Sequence, residues 1–271
     1  MGKRAGNTRS GGVFLSKRGY PHEEVIVEEI LKLIQERQSA RALFDSPRLV
    51  TKGELRQILE AARWAPTAHN MQNFEIIAVD DKRLLERIGN IKYPISETFI
   101  RENYDQLSFS KEELLRKKTG LLSTMFPPAL RTPEIRPDEV FGEKLNLFLG
   151  NLIRTTPVLL IVVYDPGKRA PASEGDFLGI ISLGCVMENM WLTAHSLGIG
   201  FHVISALGGD PTENQVKTIL DIPGHLKIAF ACRLGHPLPP ATEYLRVRRD
   251  VEDFTHHNRF GGKLDWTPSR K

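Results

Sequence analysis

The chain has 271 residues, of which 41% are hydrophobic and 26% charged, and this composition is typical of a soluble globular protein. Its longest clearly apolar run, residues 158–164, has the length of a strand and is too short to cross a bilayer, so no membrane association is expected. The formal net charge of +4 arises in a glycine-rich arm, residues 1–20, which carries five basic residues and no acidic one. We expect this arm to be disordered and solvated, although contact with nucleic acid or an anionic membrane stays open. Because the remainder is close to neutral, no nucleic-acid partner is expected.

Cysteine and histidine usage argues against disulfides and metals. The two cysteines, Cys185 and Cys232, each lie in an apolar stretch, and the basic N-terminus lacks the apolar segment of a secretory signal. Both features predict a cytoplasmic location. The eight histidines are scattered, so no metal site is expected. The sequence also lacks the dinucleotide-binding glycine motif, the phosphate-binding Walker loop and the serine-hydrolase elbow.

The first third of the chain predicts two helices and a strand. An amphipathic helix opens at residues 22–25. Thr51 and Glu54 form a capping-box pattern for a second helix, which Pro66 ends. A polar loop then leads into a strand at 74–79.

Residues 90–155 form the least regular part of the sequence. A short helix capped by Asp80 or Asp81 precedes this segment, and Pro127, Pro128, Pro133 and Pro137 interrupt its charged helical stretches. A long irregular insertion in a compact domain is usually functional, which favours a lid over a site. The alternative is a peripheral structural excursion.

Regular patterns return after the insertion. The sequence predicts a strand at 159–164, then a long apolar helix at 176–197 with Gly198 just past its end. Further strands are predicted at 201–204 and 227–234, and Thr212–Gln215 reads as a capping box for the helix between them. This alternation indicates layered helices and strands without the regular rhythm of a Rossmann domain.

Two arginine clusters are candidate anion sites. Arg37, Ser39 and Arg41 follow a helix with a spacing that places all three on one side of an extended segment. Arg246 and Arg248 stand in a second basic stretch near the C-terminus. Charge alone leaves two interpretations open. Both clusters together could hold one phosphomonoester, or each cluster could simply be solvated.

Five motifs in order resemble the nitroreductase family. Residues 37–44 and 62–74 resemble the Arg-Arg/His-Ser-x-Arg/Lys and Ala-Pro-Ser-x-x-Asn-x-Gln-Pro-Trp segments that open this family. Residues 197–205 are similar to its Leu-Gly-Leu-Gly stretch. Residues 220–223 and 234–237 are similar to its Leu-Gly-Ile-Pro and Gly-Tyr-Pro segments. The resemblance spans roughly residues 25–90 and 155–262, and the common order of the motifs makes coincidence a poor explanation.

The resemblance implies an α+β, nitroreductase-like fold: a central mixed, mainly antiparallel sheet flanked by helices, with subunit-swapped terminal segments in a homodimer. It makes residues 21–271 a single FMN-binding domain, with 90–155 as a lid-like insertion. It also implies bound FMN as cofactor and NADPH or NADH as reductant. The cofactor-binding residues that it implies are Arg37, Gln38, Ser39, Arg41, Pro66, Thr67, Asn70, Gln72, Val203, Ile204, Ser205, Ala206, Arg246 and Arg248.

The family's roles can be assigned to these positions. Arg37, Ser39 and Arg248 would hold the FMN phosphate, and Arg41 would approach the N1/O2 edge of the isoalloxazine, with Arg246 as a possible companion. Residues 203–206 would face the N5 edge through their backbone.

Further residues would complete the site. Pro66, Thr67 and Asn70 would come from the other subunit, and Gln72 would be structural or adjacent to the flavin. No side chain stands out as an obligatory acid, so no catalytic residue is predicted. The sequence departs from the family pattern at Gln38 and at Asn73-Phe74, which leaves substrate specificity open.

The resulting hypothesis is an FMN-dependent oxidoreductase that passes hydride from NAD(P)H through flavin N5 to a small electron-poor acceptor, such as a nitroaromatic, quinone or enone. A specialised flavin enzyme of the same fold, either a dehalogenase or a flavin-fragmenting branch, is an alternative. A flavin-binding module without turnover is the alternative from another class. An α/β protein whose motif matches are coincidental would purify colourless.

Overall fold

The computed structural model describes residues 23–94, 98, 101–125, 139–173, 175–238 and 245–264. The described residues fall into two compact units that divide between Arg37 and Gln38. The predicted boundary at residue 20, and the basic arm before it, lie outside the described residues. That domain division stays a prediction.

The N-terminal unit contains one amphipathic helix, α1, at Glu23–Glu36. Lys32 and Glu36 form an exposed i,i+4 ion pair at 3.9 Å along it. The helix carries large apolar side chains that are about half exposed: Ile26, Val27, Ile30, Leu31 and Ile34. An apolar stripe at helical spacing ordinarily faces a packing partner.

The second unit contains six helices and six strands within its described residues. The helices are α2 (Lys52–Arg63), α3 (Lys82–Gly89), α4 (Lys111–Lys117), α5 (Glu139–Arg154), α6 (Phe177–Ser196) and α7 (Thr212–Ile219). The strands are β1 (Glu75–Val79), β2 (Ser108–Phe109), β3 (Leu121–Leu122), β4 (Val158–Tyr164), β5 (Gly200–Val203) and β6 (Lys227–Gly235).

Four strands form the central sheet in the order β1-β4-β6-β5, and every neighbouring pair is antiparallel. Ser39 adds a parallel bridge to Phe201 at the outer edge of β5, so the sheet is mixed but mainly antiparallel. The predicted fold class is confirmed. The exchange of terminal segments between subunits stays a prediction.

Strand β4 is buried on both faces, which explains its uninterrupted apolar sequence. Because side chains alternate along a strand, Leu159, Ile161 and Val163 enter one core cluster with α3, whereas Leu160 and Val162 enter the other with α2 and α6. The molecule therefore places helices on both sides of the sheet.

Helix α6 is long and apolar enough to span a membrane by length and composition alone. Its residues Val186, Met190 and Ala194 are buried in the core cluster between the sheet and α2, as in the core helix of a globular protein. Its first turns differ, because Phe177 and Ile180 expose 66% and 59% of their surface.

Most helix ends follow the predicted capping chemistry. The Thr51 hydroxyl accepts from the Glu54 amide, and the Glu54 carboxylate accepts from the Thr51 amide, so the first capping box is confirmed. Asp81, rather than Asp80, caps α3, and Gly198 has φ +70° after α6.

The second predicted capping box, at Thr212–Gln215, is wrong. Thr212 is already the first helical residue, and its side chain is buried instead of capping. The amide of Glu213 donates to the Gly209 carbonyl, and its carboxylate accepts from the Ile228 amide at 2.9 Å. Glu213 therefore ties the helix to β6, a long-range use that the local spacing does not reveal.

The insertion contains ordered elements where the structure describes it. Strands β2 and β3 pair in parallel, and α5 packs against α3. Lys118, which follows α4 with φ +53°, forms an ion pair with Asp250 of the C-terminal segment. This exposed pair raises the pKa of Lys118, chiefly through the hydrogen bond to Asp250.

Candidate functional site

An extended segment, residues 38–44, lies along the edge of the central sheet. The Ala40 amide donates to the Phe201 carbonyl at 2.9 Å, and Phe44 forms an antiparallel bridge to Pro237. The Trp191 indole of α6 donates to the Gln38 carbonyl at 3.2 Å. The segment is therefore held by backbone pairing along its length.

Two glycines allow this close approach. A Cβ atom at Gly200 would lie 2.7 Å from the Ala40 Cβ, and one at Gly235 would lie 2.5 Å from the Phe44 ring. Real side chains do not tolerate these distances, so a methyl group at either strand position would push the segment outward. The glycines of the Leu-Gly-Ile-Gly and Gly-His-Pro motifs thus serve to seat the segment that carries Ser39 and Arg41.

The end of β5 places residues 203–206, which are also predicted to bind the cofactor, beside this segment. The Ile204 amide donates to the Ala231 carbonyl at 2.8 Å, and Ser205–Gly208 follows as one short helical turn that packs against β6. Ser205 is exposed, whereas Val203 and Ala206 are partly buried. Because Ser39 pairs with Phe201, the predicted residues 39–41 and 203–206 flank the same stretch of sheet edge.

Arg233, two residues before the end of β6, is a candidate that no sequence motif marks. Its side chain is fully buried. The guanidinium donates to the carbonyls of Leu152 at 2.9 Å, Ala40 at 3.1 Å and Ala42 at 2.9 Å. Its central carbon lies 4.5 Å from the centre of the Phe44 ring. A charged residue inside an apolar strand that is covered on both faces was the available signal.

The fourth recorded contact of this guanidinium is with His202 of β5. Arg233 Nε donates to His202 Nδ1 at 3.2 Å, so the ring proton of the neutral histidine resides on Nε2. Burial, followed by the nearby positive charges of Arg233 and Arg41, lowers the pKa of His202 to about 3. His202 is therefore neutral at ordinary pH, and the sheet edge carries two arginines around it.

The predicted loop at residues 66–72 is fixed by its own contacts. The Thr67 hydroxyl accepts from the Gln72 amide at 3.1 Å, and the Asn70 side-chain oxygen accepts from the Gln72 amide side chain at 3.2 Å. The Ala68 amide donates to Ser182 of α6 at 3.0 Å. Pro66, Asn70 and Gln72 are exposed.

Backbone conformation also marks this loop. His69, Asn70 and Gln72 have φ values of +51°, +52° and +48°, a left-handed region that non-glycine residues rarely adopt. Such conformations persist only where the surroundings fix them, and they concentrate at ligand-binding sites. Hydrogen bonds join residues 39–41 to β5 within one chain, whereas this loop is held through α6.

The remaining predicted residues lie at the two ends of the described chain. Arg37 ends the N-terminal unit, and its amide donates to the Leu33 carbonyl at 3.1 Å. Arg246 and Arg248 are exposed in the C-terminal segment, where Arg248 donates to the Val247 carbonyl at 2.7 Å. Neighbouring Arg249 donates to the Asp253 carbonyl.

A cavity of about 280 Å³ opens beside the end of β5. Ser205 and Ala206 form one wall, and Leu145 and Leu149 of α5 form another with Tyr93. Burial raises the pKa of Tyr93, so its phenol stays protonated. The space suits a small, largely apolar molecule. Within the described part of the chain, no group of three or more His, Cys, Asp or Glu side chains is placed to hold a metal ion.

Comparison with known proteins identifies a family. The profile described as the nitroreductase family matches residues 34–236. An NADPH-dependent oxidoreductase of Staphylococcus aureus is 22% identical over 233 residues, which cover 86% of this chain and 74% of that protein.

Solved structures of nitroreductases share the fold of this chain. An FMN-dependent nitroreductase of Clostridium difficile superposes with a TM-score of 0.52 at 18% identity, covering 85% of this chain and 99% of that one. A nitroreductase of Bacteroides fragilis with bound FMN gives a TM-score of 0.50 at 22% identity, covering 82% and 96%. At these identities the likeness establishes the fold alone.

Proposed function

The chain belongs to the nitroreductase family, and from this membership we propose that it is an FMN-dependent oxidoreductase carrying reducing equivalents from NAD(P)H to a small electron-poor organic acceptor. The observation that carries the proposal is the pairing of Ser39 with Phe201, which sets residues 39–41 beside residues 203–206. The Staphylococcus aureus relative uses NADPH, and the two solved nitroreductases are FMN proteins by name. These relatives support the choice of cofactor and reductant.

The residues at the sheet edge fit an anionic flavin. Ser39 offers a hydroxyl and Arg41 a guanidinium, and neither residues 38–41 nor 203–206 include a carboxylate. Arg248 and Arg246 supply further positive charge from the C-terminal segment, and Arg37 adjoins Ser39 in sequence. A phosphate dianion and a ring that becomes negative on reduction both match this donor set.

FMN, when bound, supplies hydride transfer between nicotinamide and acceptor. The protein's own part is positioning and electrostatics. Arg41, with the positive charge of Arg233 nearby, would stabilise the negative charge that develops on a bound flavin when it is reduced. His202 is neutral, with its proton on Nε2, so it adds no further charge beside the two arginines. No side chain is assigned as an acid, and the protons for the acceptor would come from solvent.

The cavity beside Ser205 and Ala206 supports a small acceptor. Its volume of about 280 Å³ suits a single substituted ring, and Leu145, Leu149 and Tyr93 provide apolar walls for a flat molecule. These three residues belong to the predicted lid, residues 90–155. Nitroaromatics, quinones and activated enones are the acceptor classes that combine this size and shape with low electron density.

We further infer that the enzyme is a homodimer. Its flavin site would receive Pro66, Thr67 and Asn70 from the partner subunit, in agreement with the exposure of Pro66 and Asn70. The exposed apolar side chains in the first turns of α6, Phe177, Ile180 and Ile181, supply a surface of the kind that dimers bury. A cytoplasmic location, inferred from the two unpaired cysteines, is part of the same proposal.

The first test is the visible spectrum of the purified protein, followed by anaerobic addition of NADPH or NADH. We expect flavin absorption that bleaches with a nicotinamide and returns on addition of a quinone or nitroaromatic. A bound flavin that neither nucleotide bleaches would favour a specialised branch or a binding module instead. A colourless protein that takes up no added FMN would refute the proposal.

A further inference from the structure

A buried arginine requires compensation from the groups around it. Moving an isolated charge from water into a protein interior costs several kcal/mol, and complete hydrogen bonding is what offsets this cost. Arg233 is fully buried, and its recorded donors reach three backbone carbonyls and one ring nitrogen. Arg233 therefore restrains the backbone segments and the histidine ring that accept these hydrogen bonds.

Two of those acceptors flank one residue. The same terminal nitrogen, Arg233 Nη2, donates to the Ala40 carbonyl at 3.1 Å and to the Ala42 carbonyl at 2.9 Å. Arg41 lies between them in sequence. Fixing the carbonyls on both sides fixes the backbone of Arg41, and hence the direction in which its side chain leaves the chain.

The contact with His202 connects this segment to the other half of the candidate site. Arg233 Nε donates to His202, which immediately precedes Val203 in β5. One guanidinium thus holds both residues 40–42 and the strand that leads into residues 203–206. The two segments are distant in sequence, and the Arg233 side chain donates hydrogen bonds to both.

We propose that Arg233 is a positioning residue of the flavin site, which clamps the backbone on both sides of Arg41 and ties it to β5 through His202. This inference rests on the proposed function, because it assumes that Arg41 contacts FMN. Arg233 itself acts from behind the segment and is not assigned a contact with the cofactor.

The clamp makes a specific demand on side-chain shape. A lysine at this position keeps the positive charge but offers one ammonium group in place of a planar fork of donors. We expect Arg233→Lys to release part of the 40–42 segment and to weaken FMN binding by about ten- to a hundredfold, the scale of losing a hydrogen bond to a charged group. FMN affinity is measured by quenching of flavin fluorescence.

Arg154 provides a matched control. Its guanidinium also joins separate segments, donating to the Gly89 carbonyl, Asn90 and Asn151 at 2.9 Å each. Those partners belong to α3, α5 and the turn after α3, away from residues 38–44. Arg154→Lys should therefore leave FMN affinity unchanged, even if it lowers the melting temperature.

A double-mutant cycle separates positioning from general loosening. If Arg233 acts through Arg41, the variant with both Arg233→Lys and Arg41→Ala binds FMN no more weakly than Arg41→Ala alone. The same non-additivity should appear in the midpoint potential of the bound flavin. Additive losses in both quantities would overturn the inference while leaving the proposed function intact.

Two further outcomes are distinguishable. Wild-type protein that takes up no FMN refutes the proposed function before any variant is made.

If Arg233→Lys does not fold, His202→Leu and His202→Asn give the same test from the other end of the contact. Asparagine retains an acceptor for Arg233 Nε and leucine does not, so weak FMN binding in the first variant and recovery in the second support the clamp. Equal affinity in these two variants would overturn it.

Discussion

At the residue scale, the buried histidine His202 lies near the positive charges of Arg233 and Arg41. Burial, together with the positive charges of Arg233 and Arg41, lowers the pKa of His202 from an ordinary value near 6.5 to about 3. The unfolded chain therefore binds a proton at His202 across this interval, while the folded protein does not. Stability contributed by the neutral histidine is complete above about pH 6.5 and is lost as the pH falls toward 3.

We expect His202→Asn to flatten the acid side of the stability profile. The free energy of unfolding, measured with denaturant at several pH values from 4 to 8, should fall more steeply with acid in the wild type. The difference in slope should approach about 1.4 kcal/mol per pH unit, which corresponds to one proton. Asparagine keeps an acceptor for Arg233 but does not titrate. Parallel profiles would mean that the pKa of His202 is the same in the folded and unfolded protein.

At the scale of elements, the site depends on how closely residues 38–44 approach the sheet. Phe44 lies against Gly235 at a distance that leaves no room for a methyl group, and the same ring stacks on Arg233. The segment, the strand and the guanidinium are thus packed as one layer. A substitution at a strand glycine should therefore displace the residues proposed to bind FMN.

Gly235→Ala tests this packing. The new Cβ atom would lie 2.5 Å from the Phe44 ring, so the segment must shift, and we expect a loss of about 1–3 kcal/mol in the free energy of unfolding together with weaker FMN binding. Gly209→Ala is the control, because Gly209 has an ordinary φ of −110° and no atom within 4 Å of the new methyl group. Equal effects of the two variants would contradict the packing argument.

At the scale of the whole molecule, the exposed apolar surface of α6 indicates an interface with a partner. The first turns of α6 expose aliphatic and aromatic side chains that a monomer in water ordinarily buries. We relate this surface to the predicted homodimer, in which each subunit would complete the other's flavin site. Assembly and cofactor binding should then be coupled.

Ile180→Asp should disrupt both properties together. Its side chain is 59% exposed, so the substitution leaves the monomer core intact while placing a charge in the proposed interface. We expect a shift from dimer to monomer in sedimentation, with loss of FMN affinity. Leu115→Asp on α4, at 51% exposure, is the control and should change neither. A monomeric wild type that binds FMN would refute the coupling.

Local and periodic features of the sequence anticipated much of the fold. Thr51 and Glu54 act through backbone groups three residues away, and Gly198 satisfies a left-handed position at a helix end. The apolar run of β4 reflects burial on both faces, which any covered strand requires. Short-range rules suffice in such cases because the interacting groups are neighbours in the chain. The order of the five motifs likewise indicated the family.

Long-range contacts decided the rest. Thr212–Gln215 has the spacing of a capping box, yet no side chain caps this helix and the Glu213 carboxylate accepts a hydrogen bond from the Ile228 amide. Local spacing cannot show this long-range contact. Arg233 carries no local signature beyond its charge, because its partners lie about 30 to 190 residues away. By itself the sequence determined the main helices and strands outside residues 90–155 and indicated the family and the candidate residues. Only the tertiary structure revealed that the buried guanidinium of Arg233 joins residues 40–42 to the strand that leads into residues 203–206. The reason is that a strand's neighbours across a sheet are set by folding of the entire chain.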